Sequence, residues 1–332
     1  MASEEILFSN QNIKLAGTLY KPETVAPCMP YSIDPELRTG KCRPQSAPNP
    51  YPAVVVVHPA SEGERTSSFY EHLKSKLPQN GIAVLIFDRR GSGASEGDFE
   101  TADFEDLASD AISAVEYLQS RPDIDKSHIG LHGTSQGAWI APIAAARKTD
   151  ISVIVVVSAS GVSPADQMNY GVAFHLEKAG FDQSVIDKAI ELRNLVNKYY
   201  RGQVSREEVA AELRRHENEP WFEKAYLRSS IELPMDITQS KWHYEMDYEP
   251  ISIWKKVKQP TLFLFAEVDE WVPVDQSIIN YKNATVHLSD VTLKQLNGTD
   301  HLMCNQASEP SKEYLNVLLD WLTSRLTTPR SS

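Results

Sequence analysis

Cysteine is nearly absent from this chain: Cys28, Cys42 and Cys304 are the only three in 332 residues. Three thiols build no disulfide framework. Cys28 and Cys42 share one proline-rich stretch and are the two that could bridge, but the rest of the chain reads as intracellular, so a cytoplasmic protein is expected. Positive charge is outweighed, with 33 Lys and Arg against 45 Asp and Glu and a formal net charge of −12. A nucleic-acid binder needs a basic face to neutralise phosphates, so nucleic acid is not an expected partner. An anionic membrane surface is disfavoured for the same reason. No apolar run approaches the ~18 residues of a membrane-spanning helix. The opening residues MASEEILFSN lack both a basic region and an apolar core, so no secretory signal is expected. Cys and His never fall at zinc-ligand spacing, and no metal or organic cofactor is expected.

What is present is ordinary for a soluble globular protein: 41% apolar and 23% charged residues. The length allows about two domains of ~150 residues, or one larger domain with an insertion. Residues 5–20 alternate loosely around Asn10-Gln11-Asn12, which predicts a hairpin. Residues 22–52 hold eight prolines and two cysteines and read as a long surface excursion. From there, buried strands and helices alternate. AVVVV (53–57), IAVLIFD (82–88), HIGLHG (128–133) and ISVIVVVSA (151–159) are β-branched runs of the kind buried on both faces. Helical spacing separates them near 67–77, at 103–119 and at 138–146. Such alternation predicts a parallel sheet covered by helices on both sides.

The alternation stops at 164–249, where the spacing is helical and no strand is evident. This block carries sixteen acidic and eleven basic residues. Strand and helix return with TLFLFA (261–266), a helix near 275–282, VTLKQL (291–296) and a helix at 311–326. The expected organisation is an α/β core in two parts, 1–163 and 250–332, split by a helical lid at 164–249. An insertion leaving the carboxyl end of a parallel strand would cover the site such sheets build there.

Gly133-Thr134-Ser135-Gln136-Gly137 is a G-x-S-x-G placed between a buried strand and an Ala-rich helix, the setting of a nucleophile elbow. A serine hydroxyl needs a base, and the base an orienting carboxylate, in the chain order Ser, acid, His. Five histidines follow Ser135; His301, in a loop after the last strand, is the expected base, with His287 read as a bystander. The acid is expected after TLFLFA, where Asp269 is best placed. Glu267 and Glu270 flank it, and Asp275 is read as the cap of the next helix. Oxyanion donors are expected from the backbone N–H groups of Gln136 and Ala60, with Ser61 second, because Pro59 has no N–H. His58 reads as structural.

These motifs, with FDRRGSGASEG (87–97), FLFAEVDEWVP and NGTDH, resemble the α/β-hydrolase superfamily. The similarity is to its dienelactone-hydrolase-like and serine-aminopeptidase-like branches. It covers about residues 53–163 and 250–325. The family's D-x-R-G-x-G-x-S loop is matched by Asp88, Arg90, Gly91, Gly93 and Ser95, which the resemblance assigns to buttressing the elbow. Two positions depart from the family pattern: Pro59 where glycine usually follows His58, and Ala138 after the elbow.

The expectation is therefore a serine esterase acting on a small-molecule carboxylic ester through Ser135, His301 and Asp269. The aromatic residues Tyr170, Phe174, Trp221, Phe222, Tyr226, Trp242 and Tyr244 of the block are candidates for an acyl pocket or for packing. Of these, Trp221 and Trp242, together with Trp271 and Ser61, are the expected substrate contacts. Two alternatives stand beside this reading. One is an aminopeptidase whose Glu217, Glu219 and Glu223 hold a substrate amine, as the resemblance allows. The other is a catalytically silent binding module.

Overall fold

The computed structural model describes residues 2–23 and 50–327. Most of the proline-rich excursion, and with it Cys28 and Cys42, lies outside the described residues. The N-terminal hairpin is β1 (Ala2–Asn10) and β2 (Ile13–Lys21), turning at Gln11 with φ 52°. The buried runs form β3 (Tyr51–Val57), β4 (Ala83–Phe87), β5 (Ile124–Thr134), β6 (Ile154–Val157) and β7 (Thr261–Ala266), and the edge strand β8 (Val291–Leu296) buries only Leu296. Tyr51 and Pro52 thus open a strand instead of closing the excursion. All eight strands join one sheet in the order β1-β2-β4-β3-β5-β6-β7-β8. The hairpin meets β4 antiparallel, and the strands from β4 to β8 run parallel.

Helices α1 (Glu71–Gln79), α2 (Phe104–Ser120), α3 (Gln136–Arg147), α8 (Val274–Ala284) and α9 (Lys312–Leu326) cover the sheet. Strand periodicity assigns their sides. Ala53, Val55 and Val57 pack with Leu107, Ala111, Ile140 and Tyr281 of α2, α3 and α8. Val54 and Val56 point the other way, to Leu73 and Leu77 of α1 and Leu318 and Trp321 of α9. Both faces being buried is why β3 reads as an unbroken apolar run rather than an alternating one. Each such side chain contributes about 1.5–3 kcal/mol by leaving water.

Between β6 and β7 the chain forms α4 (Pro164–Lys178), α5 (Gln183–Tyr200), α6 (Arg206–His216) and α7 (Lys241–Glu245). Ser163, Asp182 and Ser205 cap the first three through side-chain oxygens. The block has its own apolar core, built on Val172, Leu176, Ala189, Leu192, Val209 and Leu213. Residues 164–249 contain no strand.

The loop after β4 folds around Asp88. Its carboxylate accepts from the backbone N–H groups of Arg65 and Ala94, at 2.7 and 2.8 Å, and pairs with the Arg65 guanidinium. A Cβ at Gly93, where φ is +52°, would strike that carboxylate. Arg90 makes a two-pronged pair with Asp110 of α2 at 2.7 and 2.8 Å. The Asp88 bonds close the loop on itself and the Arg90 pair ties it to α2.

Candidate active site

Ser135 sits where β5 ends and α3 begins, with φ 53° and ψ −114°. A non-glycine residue there stores strain of roughly 1–3 kcal/mol. The turn is possible because two glycines remove side chains. A Cβ at Gly133 would lie 2.2 Å from the Gly137 carbonyl oxygen, and one at Gly137 equally close to that of Val57. The strand, the turn and the helix can therefore pass at backbone contact, and the serine hydroxyl is turned out.

His301 reaches that hydroxyl from the loop after β8: Nε2 lies 3.0 Å from Ser135 Oγ. Its Nδ1 lies 2.8 Å from both carboxylate oxygens of Asp269, in the loop after β7. Asp269 is 1% exposed. Its Oδ1 also accepts from the backbone N–H groups of Trp271 and Val272, at 2.8 and 2.9 Å. An acceptor so placed requires the proton on Nδ1 and leaves the Nε2 lone pair facing the serine. The structure thus brings Ser135, His301 and Asp269 together from three separate loops.

The other candidates for acid and base fall elsewhere. Glu267 accepts from the Gly298 N–H. His287 Nε2 is engaged with the Val257 carbonyl at 3.0 Å. Asp275 is not the cap of α8: the helix starts at Val274, Pro273 holds the cap position and no side chain caps it. The cap lies two residues earlier than expected, which leaves Asp275 in the first turn, where its charge still suits the helix dipole.

Of the two expected oxyanion donors, Gln136 follows Ser135 directly and Ala60 follows β3, the strand paired with β5. Gln136 opens α3, where first-turn N–H groups lack helical partners. Ala60 follows β3, and its loop is fixed by a residue the sequence pattern did not single out. Arg89 Nη1 donates to the carbonyls of Pro59 and Ala60, each at 3.2 Å. No peptide is cis. In a trans unit the C=O and N–H point opposite ways, so holding the Pro59 carbonyl turns the Ala60 N–H away from Arg89. His58 sits below, fully buried, bonded to the Tyr70 hydroxyl and the Phe87 carbonyl. Burial holds it neutral, with its pKa down to about 4. Ser61 is exposed and lines a polar surface groove with Glu62 and Ser92.

The helical block touches this site at three points. Tyr170 donates its hydroxyl to the Asp269 carbonyl at 3.1 Å. Gly171 of α4 accepts the Trp271 ring so closely that a Cβ would meet it at 2.4 Å. Glu245 of α7 places both carboxylate oxygens 3.5 Å from the Gln136 side-chain amide and pairs with Lys241 at 2.8 Å. Lys241 in turn donates to the Phe99 and Ala102 carbonyls. Burial raises the Glu245 carboxyl from 4.5 to about 7 against the pull of Lys241.

Among the expected substrate contacts, Trp242 lines a cavity of about 480 Å³ in the block. Trp271 meets the His175 ring at a tilt and the Tyr226 ring edge-on. Trp221 does not share that cavity; it is 2% exposed and packs on His216 and Phe222 in the block's core. Glu219 and Glu223 are exposed and Glu217 bonds the Ser230 N–H, so none of these three lines the cavity. The carboxylate beside the elbow is Glu245, which no motif marks. Among the described residues, no group of three His, Cys, Asp or Glu side chains is placed to hold a metal, and no helix is long and apolar enough to cross a membrane.

Comparison with known proteins places the chain among hydrolases. The profile described as X-Pro dipeptidyl-peptidase (S15 family) matches residues 36–301. An Escherichia coli protein, the uncharacterized 31.7 kDa protein in the traX-finO intergenic region, is 27% identical over 59% of this chain and 65% of its own length. Human dipeptidyl peptidase 8 is 26% identical over 46% of this chain, which spans 16% of that protein. The chain therefore spans less than two thirds of the length of these relatives. Among solved structures, the α/β hydrolase GrgF from Penicillium sp. sh18 aligns with a TM-score of 0.61 at 16% identity, covering 99% of this chain and 100% of that one. The Pyrococcus furiosus esterase Pf2001 aligns with a TM-score of 0.59 at 16% identity, covering 98% and 91%. At such identities the structural likeness speaks for the α/β-hydrolase fold.

Proposed function

This chain belongs to the X-Pro dipeptidyl-peptidase (S15) family of α/β-fold serine hydrolases, and from that premise we propose that it cleaves carboxylic esters through an acyl-enzyme on Ser135. The observation that carries the reading is the continuous relay from Ser135 Oγ through His301 to Asp269. In this mechanism His301 Nε2 takes the Ser135 proton as Oγ attacks the acyl carbon. The Ala60 and Gln136 N–H groups receive the oxyanion, and Asp269 stabilises the imidazolium. His301 then protonates the departing alcohol. A water molecule, deprotonated by His301, releases the acid and restores the serine. The helical block acts as a lid that borders the substrate at Glu245, opposite Trp271 of the loop after β7, and the substrate is a small molecule.

The family description supports a second reading, hydrolysis of a peptide bond after proline. That activity needs a free carboxylate for the substrate's amino terminus. Glu245, the carboxylate that the helical block brings to the Gln136 side chain, is already paired with Lys241, which favours the ester.

The test combines a fluorophosphonate probe with a substrate panel. Ser135 is expected to be labelled, and Ser135→Ala to lose roughly a millionfold in turnover of p-nitrophenyl acyl esters. Absence of labelling together with absence of ester turnover overturns the hydrolase reading. Faster turnover of X-Pro p-nitroanilides than of the esters would replace the ester with the peptide.

A further inference from the structure

A cavity of about 480 Å³ opens in the helical block, and no member of the Ser135 relay lines it. One wall is a single face of α5. Arg193, Val196, Asn197 and Tyr200 recur at three- and four-residue spacing and so stand on one side. Tyr226 and Trp242 add aromatic surface. The size suits a small organic molecule.

Arg193 is 5% exposed, yet no carboxylate among the described residues pairs with it. Its bonds go to neutral acceptors: Nη1 to the Ala225 and Tyr226 carbonyls at 2.7 and 3.3 Å, Nε to Asn169 Oδ1 at 3.3 Å. Nη2 makes no hydrogen bond among the described residues. Desolvation lowers the group to about 10, so it stays cationic at neutral pH. A buried cation without a counter-ion is unfavourable unless something else supplies the charge. One turn on, Asn197 is 2% exposed. Its Oδ1 accepts from Trp242 Nε1 at 2.9 Å, which fixes which way the amide faces, and its Nδ2 has no partner. Native proteins rarely leave buried donors unmatched.

The charges lining the cavity set the valence of what would match them. Lys241 pairs with Glu245 at 2.8 Å, and with that carboxylate ionised the two charges cancel. Arg193 and Arg228 face one acid, Glu100, which leaves a single net positive charge.

We propose that this cavity binds an organic monocarboxylate with a flat apolar body. The carboxylate meets the Arg193 guanidinium and the Asn197 amide, a planar acceptor for planar donors. The body lies against Tyr200, Tyr226 and Trp242. The site does not include Ser135, so the proposal does not rest on the hydrolase reading. The two sites adjoin at Lys241, whose partner Glu245 lies 3.5 Å from the Gln136 amide.

Calorimetric titration of the full chain carrying Ser135→Ala tests this with 3-phenylpropanoate, 3-phenylpropanamide and phenyl phosphate. The carboxylate is expected to bind at least about tenfold more tightly than the neutral amide. It should quench Trp242 emission, a change lost in Trp242→Phe. Arg193→Gln is expected to abolish the preference for the acid. Asn197→Asp keeps the bond to Trp242 but replaces a donor by an anion, and should weaken the acid selectively even if Arg193→Gln does not fold. Equal binding of acid and amide, binding of neither, or tighter binding of the phosphate overturns the proposal. The outcome is independent of whether Ser135 proves reactive.

Discussion

The Ser158 hydroxyl donates a 2.5 Å hydrogen bond to the carbonyl of His301. Ser158 follows β6 with φ 53° and is 1% exposed, so a residue at the end of a buried strand holds the histidine loop that follows the edge strand β8. Ser158→Ala is expected to lower kcat about tenfold with KM little changed, because the imidazole loses its anchor and not its substrate. Ser158→Thr, which keeps the hydroxyl, should recover part of the loss. Steady-state kinetics on a p-nitrophenyl ester reads the split; a change in KM alone would contradict the positioning role.

Asp269→Asn and Asp275→Asn separate the acid of the β7 loop from the acid in the first turn of α8. Asn at 269 presents a donor where the Nδ1 proton needs an acceptor, and kcat should fall by about 10³–10⁴. Asn at 275 touches only the first turn of α8 and should leave kcat unchanged. Near-normal activity of the first variant removes Asp269 from the mechanism.

Arg89 holds the Ala60 peptide by gripping the carbonyls on either side of it. Arg89→Met keeps the length of the side chain and removes the grip, and should cost about tenfold to a hundredfold in kcat, less than deletion of an oxyanion donor itself. Arg89→Lys should restore part of this through one bond. Unchanged kcat in Arg89→Met would show that the loop holds its shape without it.

Glu245 should give the fold an unusual pH response. Its folded carboxyl titrates near 7, above the ordinary 4.5, and burial is the main cause. Lys241 and Arg89 oppose the shift and Asp103 adds to it. The folded state therefore holds the proton more tightly than the unfolded one. That contribution to stability is complete below about pH 4.5 and is lost as pH rises through about 7. The melting temperature of Glu245→Gln, which cannot titrate, should gain on the wild type between pH 5 and pH 8. A difference that stays flat over this interval would mean that Lys241 keeps Glu245 ionised throughout.

The parts of the site that were legible in the sequence are those whose chemistry forces a local pattern. Ser135 needs glycines two residues away on either side, and these leave a motif. Asp269 follows β7, a buried strand visible as an apolar run, and His301 follows β8, the short edge strand after it. Arg89 occupies a variable position of its loop motif, and only the fold brings it to Pro59 and Ala60. Glu245 lies in the helical block, where a Lys-Glu pair four residues apart reads like any solvated helix face. Trp221 and Trp242 are indistinguishable by residue type, yet one fills a core and the other lines a cavity. The start of α8 differed because the cap position falls at Pro273, two residues before Asp275.

The strained turn at Ser135 carries one more consequence. Glycine is the residue most at ease at φ 53° and ψ −114°, so Ser135→Gly should raise the melting temperature while removing the hydroxyl. The two properties pull the same position in opposite directions. A lineage of this chain selected for thermal endurance alone would be expected to shed its nucleophile first, and a homologue with glycine at the elbow would be a sturdier protein that has stopped reacting.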